Sequence, residues 1–343
     1  MAIRSVVLAA TIAAFAAVTV SAQSRSTKHS MEQDPACQSL TPAAVGGPMP
    51  QSPDTLAVRW LGWTNYELAY RGNVFLLDAY YDRGPGQHPI GVASKDFKKA
   101  TAIFIGHAHF DHMSDAATVA KLTNAPVMGA SFAGDVLAQG GVPAKQFKAV
   151  KGGETMMYPG VTVETALGHH NIIAQQVPAG HLEKQAMALA ATSLQPPLTD
   201  EEKKQLETIR MHGSRDPKIA TDGVINYLFT FGNSFHVLFA DSPGPITDGQ
   251  KGLIAKVPTV DVAMLPYVDY DAGIPPLVEL VKSFKPSTVF LGHHDGPGVA
   301  MWAANYPAAL AIRDVSPKTR TMEVLYRTPV CFNTTSKEMV IGW

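Results

Sequence analysis

Short apolar runs separated by turn residues dominate the chain from Leu56 onward. Leu56-Ala57-Val58-Arg59-Trp60-Leu61 reads as a strand. Tyr66 to Tyr70 and Val74 to Leu77 read as two more, joined by Arg71-Gly72-Asn73, which has hairpin turn chemistry. Ala102-Ile103-Phe104-Ile105 is short and wholly apolar, as a buried strand is. Pro126 to Met128, Val161 to Ala166, Val224 to Phe231, Phe235 to Ala240, Val260 to Leu265 and Thr288 to Leu291 read as further strands. Gly232-Asn233 predicts a hairpin between two of them. Helical periodicity falls between and after these runs. Ser114 or Asp115 can cap a helix from Ala116 to Leu122, and Thr199-Asp200-Glu201-Glu202 forms a capping box opening an amphipathic helix to Met211. Pro275 to Phe284 and Met301 to Ile312 read as two more helices. Strands and helices mixed in this order predict an α/β fold, an αββα sandwich with two sheets inside and helices outside. No Gly-x-Gly-x-x-Gly follows a strand, which speaks against a dinucleotide-binding fold.

Before Leu56 the pattern is different. Arg4, the apolar run Val6 to Val20 and the small residues Val20-Ser21-Ala22 have the layout of a signal peptide over residues 1–22. The run is short of the roughly 20 residues that a spanning helix needs. Export to the periplasm or medium is therefore expected, with no stable membrane span. Residues 23–54 are rich in Ser, Gln, Pro and Gly and read as an irregular leader to a single domain over 55–343. Net charge is −1, from 28 Lys+Arg against 29 Asp+Glu, so no basic excess is available for nucleic acid. Cys37 and Cys331 are the only cysteines, which excludes a zinc finger or an iron–sulfur protein. Export would take the pair to an oxidising compartment, where a disulfide is expected.

The chemistry is concentrated where the fourth predicted strand ends. Gly106-His107-Ala108-His109-Phe110-Asp111-His112 places three imidazoles and a carboxylate in one tight loop. Ten of the 12 histidines lie from His107 to His294. Zinc takes nitrogen and carboxylate ligands in near-tetrahedral sets. Two of these His can serve one ion, and Asp111 with His112 a second. Hydrogen-bonded histidines without a metal would carry a desolvation cost beside a buried strand.

His107-Ala108-His109-Phe110-Asp111-His112 matches the signature of the metallo-β-lactamase fold superfamily. The resemblance extends over most of residues 56–296, and Trp60-Leu61-Gly62 and Leu76-Leu77-Asp78 are similar to the first sheet of that fold. It implies two divalent cations, zinc first, with Mn2+ or Fe2+ as alternatives. It also implies three further ligands. A third His follows a later strand and is His169 or His170, with spacing favouring His170. A metal-bridging carboxylate is Asp241, ahead of Ser242-Pro243-Gly244, with Ala240 replacing a Gly of the family pattern. The last ligand is His293 or His294 in Phe290-Leu291-Gly292-His293-His294-Asp295, with His293 favoured and His294 then either supporting the ligands from behind or facing substrate. The implied ligand set is His107, His109, Asp111, His112, His170, Asp241 and His293. Two departures narrow the branch. Gly168-His169-His170-Asn171 stands where glyoxalases and acyl-homoserine-lactone lactonases show Gly-His-Thr-Pro-Gly-His. The β-lactamases proper carry Ser or Cys in place of Asp241. What remains resembles the branch of ascorbate-phosphate lactonases and N-acyl-phosphatidylethanolamine phosphodiesterases.

The expected function is that of an exported dinuclear hydrolase acting on an ester, lactone or phosphodiester bond of a small-molecule substrate. Water activated between two cations would attack, Asp111 would orient it, and His294 or Tyr267 would donate to the developing oxyanion. The alternatives are an exported metal-binding protein without catalysis and a β-lactamase-like amide hydrolase. A diiron redox enzyme of this fold commonly has Glu where this chain has His109. Residues 171–222 separate the third His from the next strand and do not resemble the family core. They are expected to form a lid or pocket wall, or else a dimer-forming excursion, so a homo-oligomer stays open. His29, His88, His181, His212 and His236 read as solvated or structural.

Overall fold

A computed structural model describes residues 27–342, apart from 182–183, 185–195, 269 and 297–300. The expected signal peptide, residues 1–22, lies outside the described residues, as does part of the 171–222 insertion. The strands are β1 (Thr55–Trp60), β2 (Tyr66–Tyr70), β3 (Asn73–Leu77), β4 (Ala102–Phe104), β5 (Val127–Gly129), β6 (Phe147–Ala149), β7 (Thr155–Tyr158) and β8 (Val161–Gly168). They continue with β9 (Val224–Phe231), β10 (Phe235–Phe239), β11 (Val262–Pro266), β12 (Thr288–Gly292), β13 (Arg320–Met322), β14 (Pro329–Asn333) and β15 (Met339–Ile341). Among the described residues they form two mixed sheets, in the orders β15-β14-β1-β2-β3-β4-β5-β6 and β13-β12-β11-β10-β9-β8-β7.

Side-chain alternation explains the layering. Leu56, Val58, Tyr66, Leu68, Phe75 and Phe104 of the first sheet meet Val163, Phe229, Val237 and Met264 of the second in one central core. The alternate residues Ala57, Val74, Leu76 and Ile103 face outward into a second cluster, formed with the leader residues Cys37, Ala43 and Ala44 and with α1 (Ala116–Thr123) and α2 (Phe132–Gln139). On the far side Leu238, Ala263, Leu265 and Val289 pack under α4 (Asp248–Lys256), α5 (Ile274–Phe284) and α6 (Met301–Val315). Between these groups, α3 (Asp200–Arg210) lies in the insertion and buries no residue. The architecture is the αββα sandwich of the metallo-β-lactamase fold. No helix among the described residues is long and apolar enough to cross a membrane.

The leader differs from the expected irregular chain. Residues 27–33 and Pro35–Gln38 are helical, with Asp34 capping the second turn through Ala36 N at 2.9 Å. A buried ion pair holds this segment on the sheet. Arg59 on β1 and Glu67 on β2 face each other at 3.0 Å with fully buried side chains. Arg59 donates onward to the carbonyls of Ala36 and Ser39, and Glu67 accepts from the amides of Ala43 and Ala44. Leader backbone thus meets the outer ends of the pair, although Arg59 Nε is left without a partner. Cys37 in the leader and Cys331 on β14 form a disulfide, closing a sequence separation of 294. Asp115 is the N-cap of α1 by position but makes no side-chain cap bond. Its carboxylate instead accepts from the Tyr81 and Asp82 amides at 2.6 and 2.9 Å.

Candidate metal centre

Four strand ends deliver the expected ligands to one place. After β4 the chain passes Gly106 and reaches His107. A Cβ on Gly106 would stand 2.1 Å from the Asp241 carboxylate, so only glycine admits that approach. His109 then precedes the single helical turn Phe110–Met113, which carries Asp111 and His112. His170 lies two residues past β8, Asp241 two past β10 and His293 directly after β12. His293 takes a left-handed φ of +65°, as do Trp63 (+53°) and Asp78 (+54°) beside it. Non-glycine residues in this region gather at functional sites.

The side chains form three overlapping sets whose ligand atoms lie within 4.8 Å of one another: His107, His109 and His170; His107, His112 and Asp241; Asp111, His112 and His293. His107 Nε2 is 3.0 Å from His109 Nδ1, and His293 Nε2 is 3.4 Å from Asp111 Oδ2. Asp241 Oδ2 is 2.6 Å from His107 Nδ1 and 3.2 Å from His112 Nδ1, so it touches members of the first and third sets.

Electrostatics divides the group. Burial lowers the pKa of His107, and of His109 to about 3, with neighbouring imidazoles adding to the effect in His109. Burial lowers that of His170 too. These three rings are neutral donors near neutral pH. Burial also opposes charge on His112, but Asp111, Asp78 and Asp241 outweigh it and raise its pKa well above the ordinary value. Burial disfavours ionised Asp111 and Asp241, yet the histidines around each hold both well below the usual carboxylate range. Neutral imidazoles converging beside anionic carboxylates are the donor set of a divalent cation site. Asp241 Oδ1 is buried with no hydrogen-bond partner, which fits a carboxylate reserved for a cation.

The structure separates the paired candidates. His170 joins the first set, whereas His169 lies beside the Ala220 carbonyl at 3.4 Å. His293 joins the third set, whereas His294 is buried and stacks on Trp60 at 4.8 Å. Burial lowers the His294 pKa to about 4. Tyr267 is not brought to the site. It is buried in the outer layer with Leu265, Leu277 and Leu280, because alternation from inward Val262 and Met264 turns it toward the helices.

Two residues were not singled out from sequence. Asp78 directly follows β3 and is fully buried. Its Oδ2 is 2.8 Å from His112 Nδ1 and accepts from Thr64 Oγ1 at 2.6 Å, while Oδ1 accepts from Gly106 N at 2.9 Å. Burial, then Asp241, raises its pKa to about 6. Only the charged end of Leu76-Leu77-Asp78 hinted at this. Trp63 donates its indole N–H to Asp111 Oδ2 at 3.2 Å, and no periodicity marks it. The insertion returns to the same place. Leu206 and Ile209 of α3 pack on Gly84, Arg210 lies over the Phe110 ring at 5.9 Å, and Ser214 N donates to Ala108 O at 2.8 Å.

Residues 73–197 match the model of a β-lactamase superfamily domain. A UPF0173 metal-dependent hydrolase of Cupriavidus necator is 33% identical over 133 residues, 37% of this chain and 46% of that protein. Another, of Pyrobaculum arsenaticum, is 30% identical over 112 residues, 32% of this chain and 48% of that protein. The chain thus spans about half the length of the curated relatives it matches. Among solved structures, a metallo hydrolase of the archaeon Ignicoccus hospitalis superposes with a TM-score of 0.52 at 17% identity, over 81% of this chain and 98% of that one.

Proposed function

We propose that this chain is an exported dinuclear metal-dependent hydrolase that cleaves an ester, lactone or phosphodiester bond in a small molecule. The observation that carries the reading is the meeting of two three-residue donor sets, His107–His109–His170 and Asp111–His112–His293, with Asp241 touching both. A purely structural zinc site is closed and has one set. The relatives' description as metal-dependent hydrolases supports the same class. The choice of bond rests on the resemblance to the ascorbate-phosphate lactonase and N-acyl-phosphatidylethanolamine phosphodiesterase branch. Export rests on the N-terminal pattern, and the Cys37–Cys331 disulfide supports an oxidising compartment.

Each set would hold one cation, with Asp241 shared between them. Bound there, cations supply Lewis-acid polarisation and lower the pKa of water. Asp111, held by Trp63 and beside His293, stays ionised and orients the attacking water. Asp78 fixes the ring of His112 from behind. The insertion, with α3 against Phe110 and Gly84, walls one side of the site and selects substrate by size. The test is a panel of generic esters, lactones and bis-phosphodiesters, run on stripped protein and after addition of zinc or manganese. Metal-dependent hydrolysis of at least one class is expected. Two bound ions without hydrolysis of any class would favour a metal-binding protein.

A further inference from the structure

We propose that Trp63 is a positioning residue that sets Asp111 and His293 as a pair and so governs the affinity of one cation position and not the other. The inference rests on the two-cation reading above.

Three contacts tie Trp63 to this one donor set. Its indole Nε1 donates to Asp111 Oδ2 at 3.2 Å. Its ring lies over the His293 imidazole, with centroids 3.9 Å apart. Its carbonyl accepts from His293 N at 3.0 Å, which holds the backbone where His293 takes its left-handed φ. An indole N–H on a carboxylate oxygen takes one lone-pair direction and fixes the side-chain rotamer. The carboxylate and the imidazole are thereby held 3.4 Å apart.

Trp63 is itself clamped, although it is half-exposed and adds little to the core. Its φ of +53° is one that few non-glycine residues adopt. The Asp295 carboxylate accepts from Trp63 N at 3.1 Å and is locked by Arg83 and by Tyr326, each at 2.5 Å. Trp60 Nε1 donates to the Trp63 carbonyl at 2.8 Å. The Arg83 guanidinium lies 5.2 Å from the indole and the Tyr80 ring meets it edge-on at 6.0 Å. A side chain held by Arg83, Tyr80 and His293, with its polar end on a candidate ligand, is built to orient that ligand.

The test is Trp63→Phe, which keeps a ring over His293 and removes the N–H. Stripped wild-type and variant proteins are titrated with zinc against a chromophoric chelator, and the stepwise affinities are compared. One of the two binding steps should weaken by about ten- to a hundredfold, the usual effect of losing a partner that orients a ligand. The other step should stay within about twofold. Both steps unchanged, or both weakened equally, would overturn the proposal. Should Trp63→Phe lack a cooperative thermal transition, Trp63→Met, which also lacks the donor, carries the same comparison. A wild type that binds fewer than two ions would overturn the two-cation reading and this inference together. Two ions in wild type with an unaltered variant would strike this inference alone.

Discussion

Replacing Asp78 by Asn should weaken metal binding without unfolding the protein. Asp78 is fully buried, and its two oxygens meet the Gly106 amide, the Thr64 hydroxyl and His112 Nδ1. Asn keeps the shape and an acceptor for Gly106 N. Its amide N–H2, however, then faces His112 Nδ1. With Asp78 at 2.8 Å and Asp241 at 3.2 Å, His112 keeps an N–H at Nδ1, so Nε2, 3.8 Å from Asp111, is the nitrogen that would give up its proton to a cation. An amide donor at Nδ1 favours the opposite tautomer and puts the proton on the ligand atom. Loss of such an orienting partner typically costs ten- to a hundredfold in affinity, about 1.4–2.7 kcal/mol. Stability of the metal-free protein should change less, by about 1 kcal/mol or under. The lost charge-assisted bonds are offset because burial and Asp241 already disfavour the Asp78 charge, raising its pKa to about 6. Asp78→Ala leaves the buried Gly106 amide unpaired and takes a carboxylate from His112 and Thr64, which keep each other, and should cost about 2–4 kcal/mol instead. Chelator competition gives the affinity and urea unfolding at pH 7 the stability. Wild-type metal affinity in a folded Asp78→Asn protein would refute the orienting role.

Thiol titration of the denatured, unreduced protein should find no free cysteine, and reduction should lower stability by about 3–5 kcal/mol in the chain-entropy model, given the long loop closed by Cys37 and Cys331. Two titratable thiols would contradict it. Burial raises the Asp115 pKa from 3.8 to about 6, so between these values the folded state binds more protons than the unfolded state and stability falls as pH rises. Asp115→Asn keeps an acceptor for the Tyr81 and Asp82 amides. The variant should match wild type near pH 4 and exceed it at pH 7 by about 1–3 kcal/mol; a gap independent of pH between 4 and 7 would refute the cause. Deleting 199–211 while keeping Gly213 and Ser214, which meet Phe110 and Ala108, should leave the metals bound and reorder substrates by size. A folded deletion protein lacking metal would place a ligand in the insertion.

The central strands were readable because each satisfies one simple rule. β2 and β3 alternate around Arg71-Gly72, both at positive φ, and β4 is apolar throughout. The strands that escaped notice lie toward the ends of the sheets. β6, β7, β13 and β15 have three or four residues and are partly exposed, so no run of alternation could form. β14 is buried throughout, yet it opens with Pro329 and has five residues. The leader's helical turns are hidden because tertiary partners, Arg59 and Glu67, supply what local propensity does not. The metal loop was readable because its spacing is local. Asp78 and Trp63 act across 34 and 48 residues, a pairing that only the folded sheet creates. Tyr267 lies just past the end of a strand that points at the site, yet alternation along β11 turns its side chain into the outer cluster with Leu265 and Leu277.

The most direct test of the two-cation site is the metal content of wild type and of Asp241→Ala, measured with the hydrolysis rate on any accepted substrate. Asp241 Oδ2 touches His107 and His112, from different donor sets, and Oδ1 has no hydrogen-bond partner. Its removal therefore reaches both cation positions and leaves their mutual repulsion unscreened. Wild type should hold two metal ions per chain, and Asp241→Ala one or fewer, with activity lower by about a hundredfold or more. A fully active Asp241→Ala protein carrying two ions would contradict the shared role of this carboxylate.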